Sequence, residues 1–299
     1  MQLFKNDKRL SGIMILGILA FTGCQTTEVK EGIYARVDAI QNELKHQEAA
    51  SNFWMEIDHS RLADQEGVYT PPSIVTFFND TKLNSSLVKE NPLIALDLPI
   101  KVLCYSEPDT QNVLMAYPST DFIAKRHGIS KSDLGEYDGQ LEAITSGFSA
   151  TLKSETPLEL VDLNYGITLL KSDFGFDSTI LRLKEIISMQ GDTRWFGEIN
   201  YQKDAETYGI DIKPLYLLLF GGPGPGGKAM HDSPKLGLDA FCQKLLVFEN
   251  ENQDIIVAYN DIEDFAELYY ERSTPPQKMI NKRLRKTFEM AIKRTSGTN

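Results

Sequence analysis

A chain of 299 residues with 41% hydrophobic and 24% charged residues is ordinary globular material, long enough for two domains of roughly 150 residues each. Its formal charge of −11 at pH 7 repels phosphate backbones, so nucleic acid is excluded as an expected partner. Three cysteines without a CxxC, and four histidines without paired spacing, make no metal signature, and no cofactor is expected.

The chain opens on a processing segment. Lys5, Lys8 and Arg9 form a basic start, and residues 10–21 are apolar but too short for a membrane span, which takes about 20 residues. Phe21-Thr22-Gly23-Cys24 ends this run with a small residue, a glycine and a cysteine. It resembles a bacterial lipobox, with Phe21 where leucine is usual. The expectation is a signal segment over 1–24, Cys24 lipidated as the new N-terminus, and a polar tether over 25–33. Gln25 stands where an aspartate would retain such a protein in the inner membrane, which implies the outer membrane, facing the periplasm. A plain secretory signal or an uncleaved anchor is the competing reading. Loss of residues 1–23 removes Lys5, Lys8, Arg9 and Asp7, taking the charge from −11 to −13. Membrane attachment would then rest on acyl chains, at about 0.8 kcal/mol per buried methylene.

Val37, Ile40 and Leu44 recur at helical spacing and predict an amphipathic helix over 34–47. A strand is expected over 53–57. Asp58 can cap a short helix ending by Gly67, and Thr70-Pro71-Pro72 stops that helix before a buried strand over 73–78. Residues 83–96 read as a short helix and a turn at Asn91-Pro92. Residues 100–105 and 112–117 pair as a hairpin, and a helix capped by Thr120 runs to His127. Leu141, Ile144, Phe148 and Leu152 predict a further helix within 130–155, and 156–165 is a linker. The series then begins again. A strand is expected over 166–170, a helix over 176–189, a strand over 195–199, a helix over 203–208 and a strand over 215–220. A hairpin (243–248 with 254–259), a helix over 262–269 and a basic amphipathic helix over 276–294 complete it.

The second series repeats the first at a constant offset. NPLIALDLPIKVLCY (91–105) returns as SPKLGLDAFCQKLLV (233–247), with Asp97 and Asp239 142 residues apart. The same offset relates Ile57 to Ile199, Gly67 to Gly209, Phe78 to Phe220 and Tyr117 to Tyr259. Chance does not hold one offset across so many elements, so the chain is a duplication. The expected class is α+β: two tandem copies of a small two-layer domain, over 34–155 and 166–299, with helices packed on a mixed β-sheet. In this register Lys101 becomes Gln243 and Pro99 becomes Phe241. Cys104 and Cys242 are not equivalent in it, and both read as buried apolar residues and not as a disulfide.

GPGPGGKA (222–229) fits GxxxxGK and follows a strand, as a phosphate-binding loop would. Ala229 offers no hydroxyl for magnesium, and Pro223 and Pro225 lack N–H groups to hold phosphate. No nucleotide is expected, and the bland reading is a flexible turn. Asp58-His59 could carry a base, but the second copy has Asn200-Tyr201, and a capping acid beside an ordinary histidine is the plainer account. Asp97 could pair with Lys101 or face a pocket. Tyr117 and its counterpart Tyr259 read as core residues with a hydroxyl reaching solvent.

IDHSRLADQEGVYTPPSIVTFF (57–78), NPLIALDLPIKVLCY (91–105) and LMAYPSTDFIAKRHGI (114–129) together resemble domain of unknown function 302. The first copy carries Asp58, His59, Ala63, Gly67, Pro72, Asp97, Leu98, Pro99, Lys101 and Tyr117. The second keeps Ala205, Gly209, Pro214, Asp239 and Tyr259 but departs at the histidine, the proline and the lysine. The resemblance implies a fold and no activity. The expected function is therefore a non-enzymatic envelope module that binds a small ligand or a protein, with Asp58, His59, Asp97, Lys101 and Tyr117 as candidate ligand-binding residues. The competing readings are an enzyme, with His59 as base and Lys101 stabilising an anion, and a purely structural lipoprotein.

Overall fold

A computed structural model describes residues 19–47 and 52–294. Each copy is built on an antiparallel sheet. In the first, β1 (Phe53–Asp58), β2 (Ser73–Phe78), β3 (Ile100–Ser106) and β4 (Val113–Ala116) lie side by side in sequence order. Helix α1 (Leu19–His46) precedes the sheet, and α2 (His59–Asp64) joins β1 to β2. Helix α3 (Thr81–Glu90) and a 3₁₀ turn, Pro92–Leu96, lead into β3, while α4 (Thr120–His127) and α5 (Gly135–Thr145) follow β4.

The second copy adds a strand. Its order is β5-β9-β8-β7-β6, from β5 (Ile167–Lys171), β6 (Arg194–Asn200), β7 (Leu215–Gly221), β8 (Gln243–Glu249) and β9 (Ile255–Asn260). The helices are α6 (Phe176–Ser188), α7 (Tyr201–Glu206), α8 (Pro223–Met230), α9 (Ile262–Tyr270) and α10 (Pro275–Ile292), with a 3₁₀ turn at Pro234–Gly237. The α+β class and the duplication stand. The ladders between these strands are all antiparallel, and among the described residues parallel pairing is confined to the bridge Met115–Lys153.

Several local expectations change. The expected processing segment lies outside the described residues up to 18. The backbone of 19–33, including the polar stretch read as a tether, is part of α1. At the 142-residue offset β5 corresponds to 25–29, so the two copies begin differently: one with helix, one with strand. Ser119, not Thr120, caps α4. Helix α5 ends at Thr145, leaving Phe148 and Leu152 in irregular chain and a short 3₁₀ turn. The glycine-proline stretch is not a flexible turn but helix α8, with Pro223 in its first turn, where a missing N–H costs no helical hydrogen bond.

The copies pack as a pseudo-dimer. Helix α2 contacts α8, and their counterparts α7 and α3 contact each other. The 3₁₀ turn of the first copy lies on β8, and that of the second lies on β2 and β3. Such reciprocity is the mark of an isologous interface. It explains why β2 and β3 are buried along their whole length: one face meets the copy's own helices, the other the partner copy. It also explains the glycines. A Cβ on Gly227 would lie 2.4 Å from the Ala63 Cβ, and one on Gly237 would lie 2.4 Å from Ser73 Oγ. The retained Gly67 and Gly209 both sit at left-handed φ, 70° and 68°, which only glycine adopts freely.

Strand register exposes a hidden insertion. Phe78 pairs with Ile100 in the first copy, whereas its counterpart Phe220 pairs with Gln243. Leu103 pairs with Ala116, and Leu246 with Ala258. Strand β8 is thus displaced by one residue relative to β3, while β7 and β9 keep the 142-residue offset. The extra residue falls in the turn before β8, where Cys242 takes φ 58°, and the β8–β9 hairpin is one residue shorter in compensation. Lys101 therefore corresponds to Lys244, not Gln243. The expected loss of this lysine from the second copy is corrected.

Candidate functional site

Asp58 serves local structure. Its Oδ1 accepts from Arg61 N (2.8 Å) and Ser60 Oγ (2.6 Å), and its Oδ2 accepts from Arg61 Nη1 (2.6 Å). Asn200 caps α7 in the same way, accepting from Lys203 N at 3.0 Å. The Asp-to-Asn change between copies keeps the capping oxygen, which is what both helix starts need.

His59 opens α2 and is buried against the second copy, its Nε2 3.2 Å from the Gly237 carbonyl. Burial lowers its pKa to about 4, against the weaker opposing pull of that carbonyl and of Asp58. The imidazole is neutral at pH 7, and because a carbonyl only accepts, Nε2 carries the proton. Its other surroundings belong to a cavity of about 60 Å³ at the junction, bordered by α2, α8 and α10. Phe196, Phe220 and Phe241 form its apolar wall; Gln243 and Arg283 add polar groups. Arg283 is already committed, donating to Asp192 Oδ2 at 2.5 Å, to Asp192 Oδ1 at 2.6 Å and to Gln190 at 2.7 Å.

Asp97 and Lys101 lie elsewhere, in a solvent-free ionic network between the copies. Lys101 Nζ reaches Asp97 Oδ1 at 3.4 Å and, across the junction, Asp239 Oδ1 at 2.5 Å. Two aspartates that are copies of each other thus converge on one lysine. Arg126 Nη1 donates to Asp97 Oδ2 at 2.7 Å, and His127 Nε2 lies 2.6 Å from the same oxygen. Tyr269, the counterpart of His127, donates its hydroxyl to Asp239 Oδ2. Arg126 also crosses to Asn260 Oδ1 (2.7 Å) and to the Tyr165 carbonyl (2.9 Å). Burial alone would raise the Asp97 pKa, but Arg126, Lys101 and His127 hold it well below the usual carboxylate range. Burial also lowers the pKa of His127, so its Nε2–H is the donor to Asp97.

Lys244, in the place of Lys101, crosses in the opposite direction. Its Nζ donates to the Leu98 carbonyl at 2.7 Å and lies 5.2 Å from the Phe77 ring centroid. Burial, reinforced by Lys101, pushes its pKa well below that of an ordinary lysine.

Every carboxylate oxygen of Asp97 and Asp239 has a protein partner. The network is closed to solvent and offers no free position to a substrate. The five candidate residues therefore separate. His59 borders the junction cavity, Asp97 and Lys101 belong to the ionic network, and Asp58 caps a helix. Tyr117 borders a different hollow, of about 400 Å³, beside Thr120, Asp138 and Glu142. His59 lines the junction cavity, whereas the Lys101 ammonium is bonded to Asp97 and Asp239 and does not line that cavity. Among the described residues no group of His, Cys, Asp and Glu is placed to hold a metal. Cys104 and Cys242 are free and buried; burial raises both thiols, that of Cys242 to about 12.

Arg126, His127 and Lys244 were not among the candidates. Arg126 and His127 lie one turn after Phe122 and Ile123, on the apolar stripe of their helix, and Arg126 stands where the second copy has the buried Leu268. A cation in a core position is a signal that the sequence carries. Lys244 was hidden by the compensated insertion.

Comparison with known proteins gives a fold family and little more. Two fluoride-specific ion channels, from Brucella suis biovar 1 (strain 1330) and Brucella abortus biovar 1 (strain 9-941), are each 23% identical over 132 residues. That is 44% of this chain, and 49% and 46% of theirs; the chain spans about half the length of the curated relatives it matches. Among helices of the described residues none is long and apolar enough to cross a membrane. The crystal structure of an uncharacterized conserved DUF302 protein from Bacillus stearothermophilus aligns with a TM-score of 0.36 at 17% identity, covering 42% of this chain and 95% of that one. Residues 25–147 and 169–293 match the family described as domain of unknown function DUF302, and since these two regions are most of the chain, the protein belongs to that family as a tandem pair.

Proposed function

We propose that the protein is a non-enzymatic binding module of the bacterial envelope, attached through a lipid on Cys24 in the outer membrane, with the junction cavity at His59 as its ligand site. The observation that carries this reading is the cavity's composition: three phenylalanines, a neutral imidazole and an arginine whose charge is already satisfied. Such a lining favours a small uncharged, partly apolar group with one or two polar atoms. About 60 Å³ admits a few waters or one end of a larger molecule, far less than the 300–1,000 Å³ of a drug-sized site. The lipobox-like Phe21-Thr22-Gly23-Cys24 supports the anchor. The fluoride-channel activity named for the Brucella relatives is not carried over, because the match spans about half of each.

The test is mass spectrometry, denaturing and native, of the protein purified from its own envelope. The expected result is a fatty-acylated Cys24 and a small molecule that co-purifies with the parent and is lost from His59→Phe. An unmodified Cys24 overturns the anchor. A parent without bound small molecule, or one retained equally by His59→Phe, overturns the site.

A further inference from the structure

The second copy exposes an unusual face. Five large apolar residues among those described are more than 60% exposed, and four of them lie on the outer helices of this copy: Leu181 (68%) and Met189 (78%) on or just after α6, and Met279 (69%) and Met290 (61%) on α10. The two helices run side by side. Arg182 Nε donates to the Ala291 carbonyl at 2.6 Å, which brings Leu181 to the turn that carries Met290, and Gln190 Nε2 donates to Thr287 at 3.2 Å, which ties the end of α6 to the middle of α10. Trp195 joins the same end: it is 38% exposed, and its indole N–H donates to Ser188 at 3.1 Å, beside Met189.

The charge on this face is equally uneven. Helix α10 carries five cations against one carboxylate, Glu289, in a protein of net charge −11. Arg283 is paired with Asp192 and Arg285 with Glu289. Lys278, Lys282 and Lys286 are exposed, and their side chains have no hydrogen-bond or ion-pair partner among the described residues. They recur every four residues, so they form one row along the helix, where like charges repel. Met279 and Met290 border that row at helical spacing. Helix α6 contributes apolar groups, two exposed carboxylates, Asp177 and Glu185, and two cations that are already engaged, Lys184 with Glu198 and Arg182 with the Ala291 carbonyl, so the row of free cations is that of α10.

The first copy shows what this fold does without such a face. At the 142-residue offset, Leu181 and Met189 correspond to Ala39 and Gln47; the buried Leu134, Leu141 and Thr145 match the buried Gln277, Leu284 and Phe288 of α10 one residue further on, at 143, so that Met279 and Met290 correspond to the exposed Glu136 and Gly147. Its α5 exposes Glu136, Asp138 and Glu142. Folding of the unit therefore does not call for exposed methionines beside a lysine row.

We infer that the α6–α10 face is a membrane-contact surface, whose lysine row meets anionic lipid headgroups while Met279, Met290, Met189, Leu181 and Trp195 enter the headgroup–acyl boundary. Unpaired lysines flanked by flexible apolar side chains, with a tryptophan at the margin, are the chemistry of a helix lying in a membrane interface. A protein partner would more often be met by a face depleted in lysine. This surface rests neither on the junction cavity nor on acylation of Cys24.

The test uses the processed chain, residues 24–299 with Cys24→Ser, so that neither a lipid nor the basic apolar segment of 1–23 contributes, and vesicles of phosphatidylcholine with or without about one-third phosphatidylglycerol. The parent is expected to float with the anionic vesicles, less so at high salt. Lys278→Gln/Lys282→Gln/Lys286→Gln is expected to weaken that binding on the order of 100-fold, from about fivefold per lysine. Met279→Ser/Met290→Ser is expected to weaken it by a smaller factor, with both variants unfolding at the parent's urea midpoint. Equal binding of parent and lysine variant overturns the inference. So does a parent that ignores the anionic vesicles but is cross-linked through α10 to an envelope protein in native membranes.

Discussion

Lys101 and Lys244 occupy one position in two copies of a single fold, and they solve burial differently. Lys101 sits between Asp97 and Asp239, and its charge is matched from both copies. Lys244 has one carbonyl and an aromatic ring, and burial pushes its pKa well down. A pseudo-two-fold junction brings equivalent residues face to face, so two fully paired lysines with their acids would need two copies of everything around them. The molecule breaks the symmetry instead. Arg126 and Asn260, which have Leu268 and Pro118 as counterparts, complete the ionic half. The lesson is that duplication preserved the scaffold, while the shared interface made the copies chemically unequal.

The largest test of that comparison exchanges each lysine for methionine. Lys101→Met leaves Asp97 and Asp239 buried with one cation fewer, and should cost about 3–5 kcal/mol, as removal of one partner from a buried pair does. Lys244→Met loses one hydrogen bond but also a costly buried amine, and should cost about 1 kcal/mol. Urea unfolding midpoints of the two variants measure the difference; equal losses would mean the copies hold their lysines alike.

A second test uses pH. His59 is held near pKa 4 in the fold, against about 6.5 in the unfolded chain, so the unfolded state binds the proton first. Its contribution is complete above pH 6.5 and is lost as pH falls toward 4. From pH 7 to pH 4.5 stability should drop by roughly 2–3 kcal/mol through this group, and His127, also lowered, adds in the same direction. His59→Gln should flatten the slope of unfolding free energy against pH in this window. The corresponding position of the second copy, Tyr201, has no such titration. Asp97, lowered in the fold, acts only at more acid pH.

The smallest effect concerns α8. Gly227→Ala should cost about 1–3 kcal/mol, because its Cβ would meet the Ala63 Cβ at 2.4 Å. Gly224→Ala, whose nearest neighbour would be Glu66 Cβ at 3.5 Å, should be neutral or slightly stabilising, since alanine is the better helix former. Thermal unfolding of both variants checks whether the glycines are there for close packing between copies.

Composition, hydrophobic period and turn chemistry are local quantities, and they were enough to read the duplication, the α+β class and nearly all the strands. Ser73–Phe78 is apolar and bounded by Pro72 and Asn79, so its strand needs no partner to be recognised. The capping role of Asp58 was legible for the same reason. The site was not. That Asp97 and Lys101 meet Asp239 across the junction depends on how two folded units dock, which no spacing within one unit encodes. The GPGPGG stretch looks like a loop by propensity and is a helix by packing, because its missing side chains let α8 approach Ala63. The identity of Lys244 with Lys101 was masked by an insertion and a deletion that restore the offset on either side. Hydrogen-bond register between strands, a property of the assembled sheet, is what tells them apart.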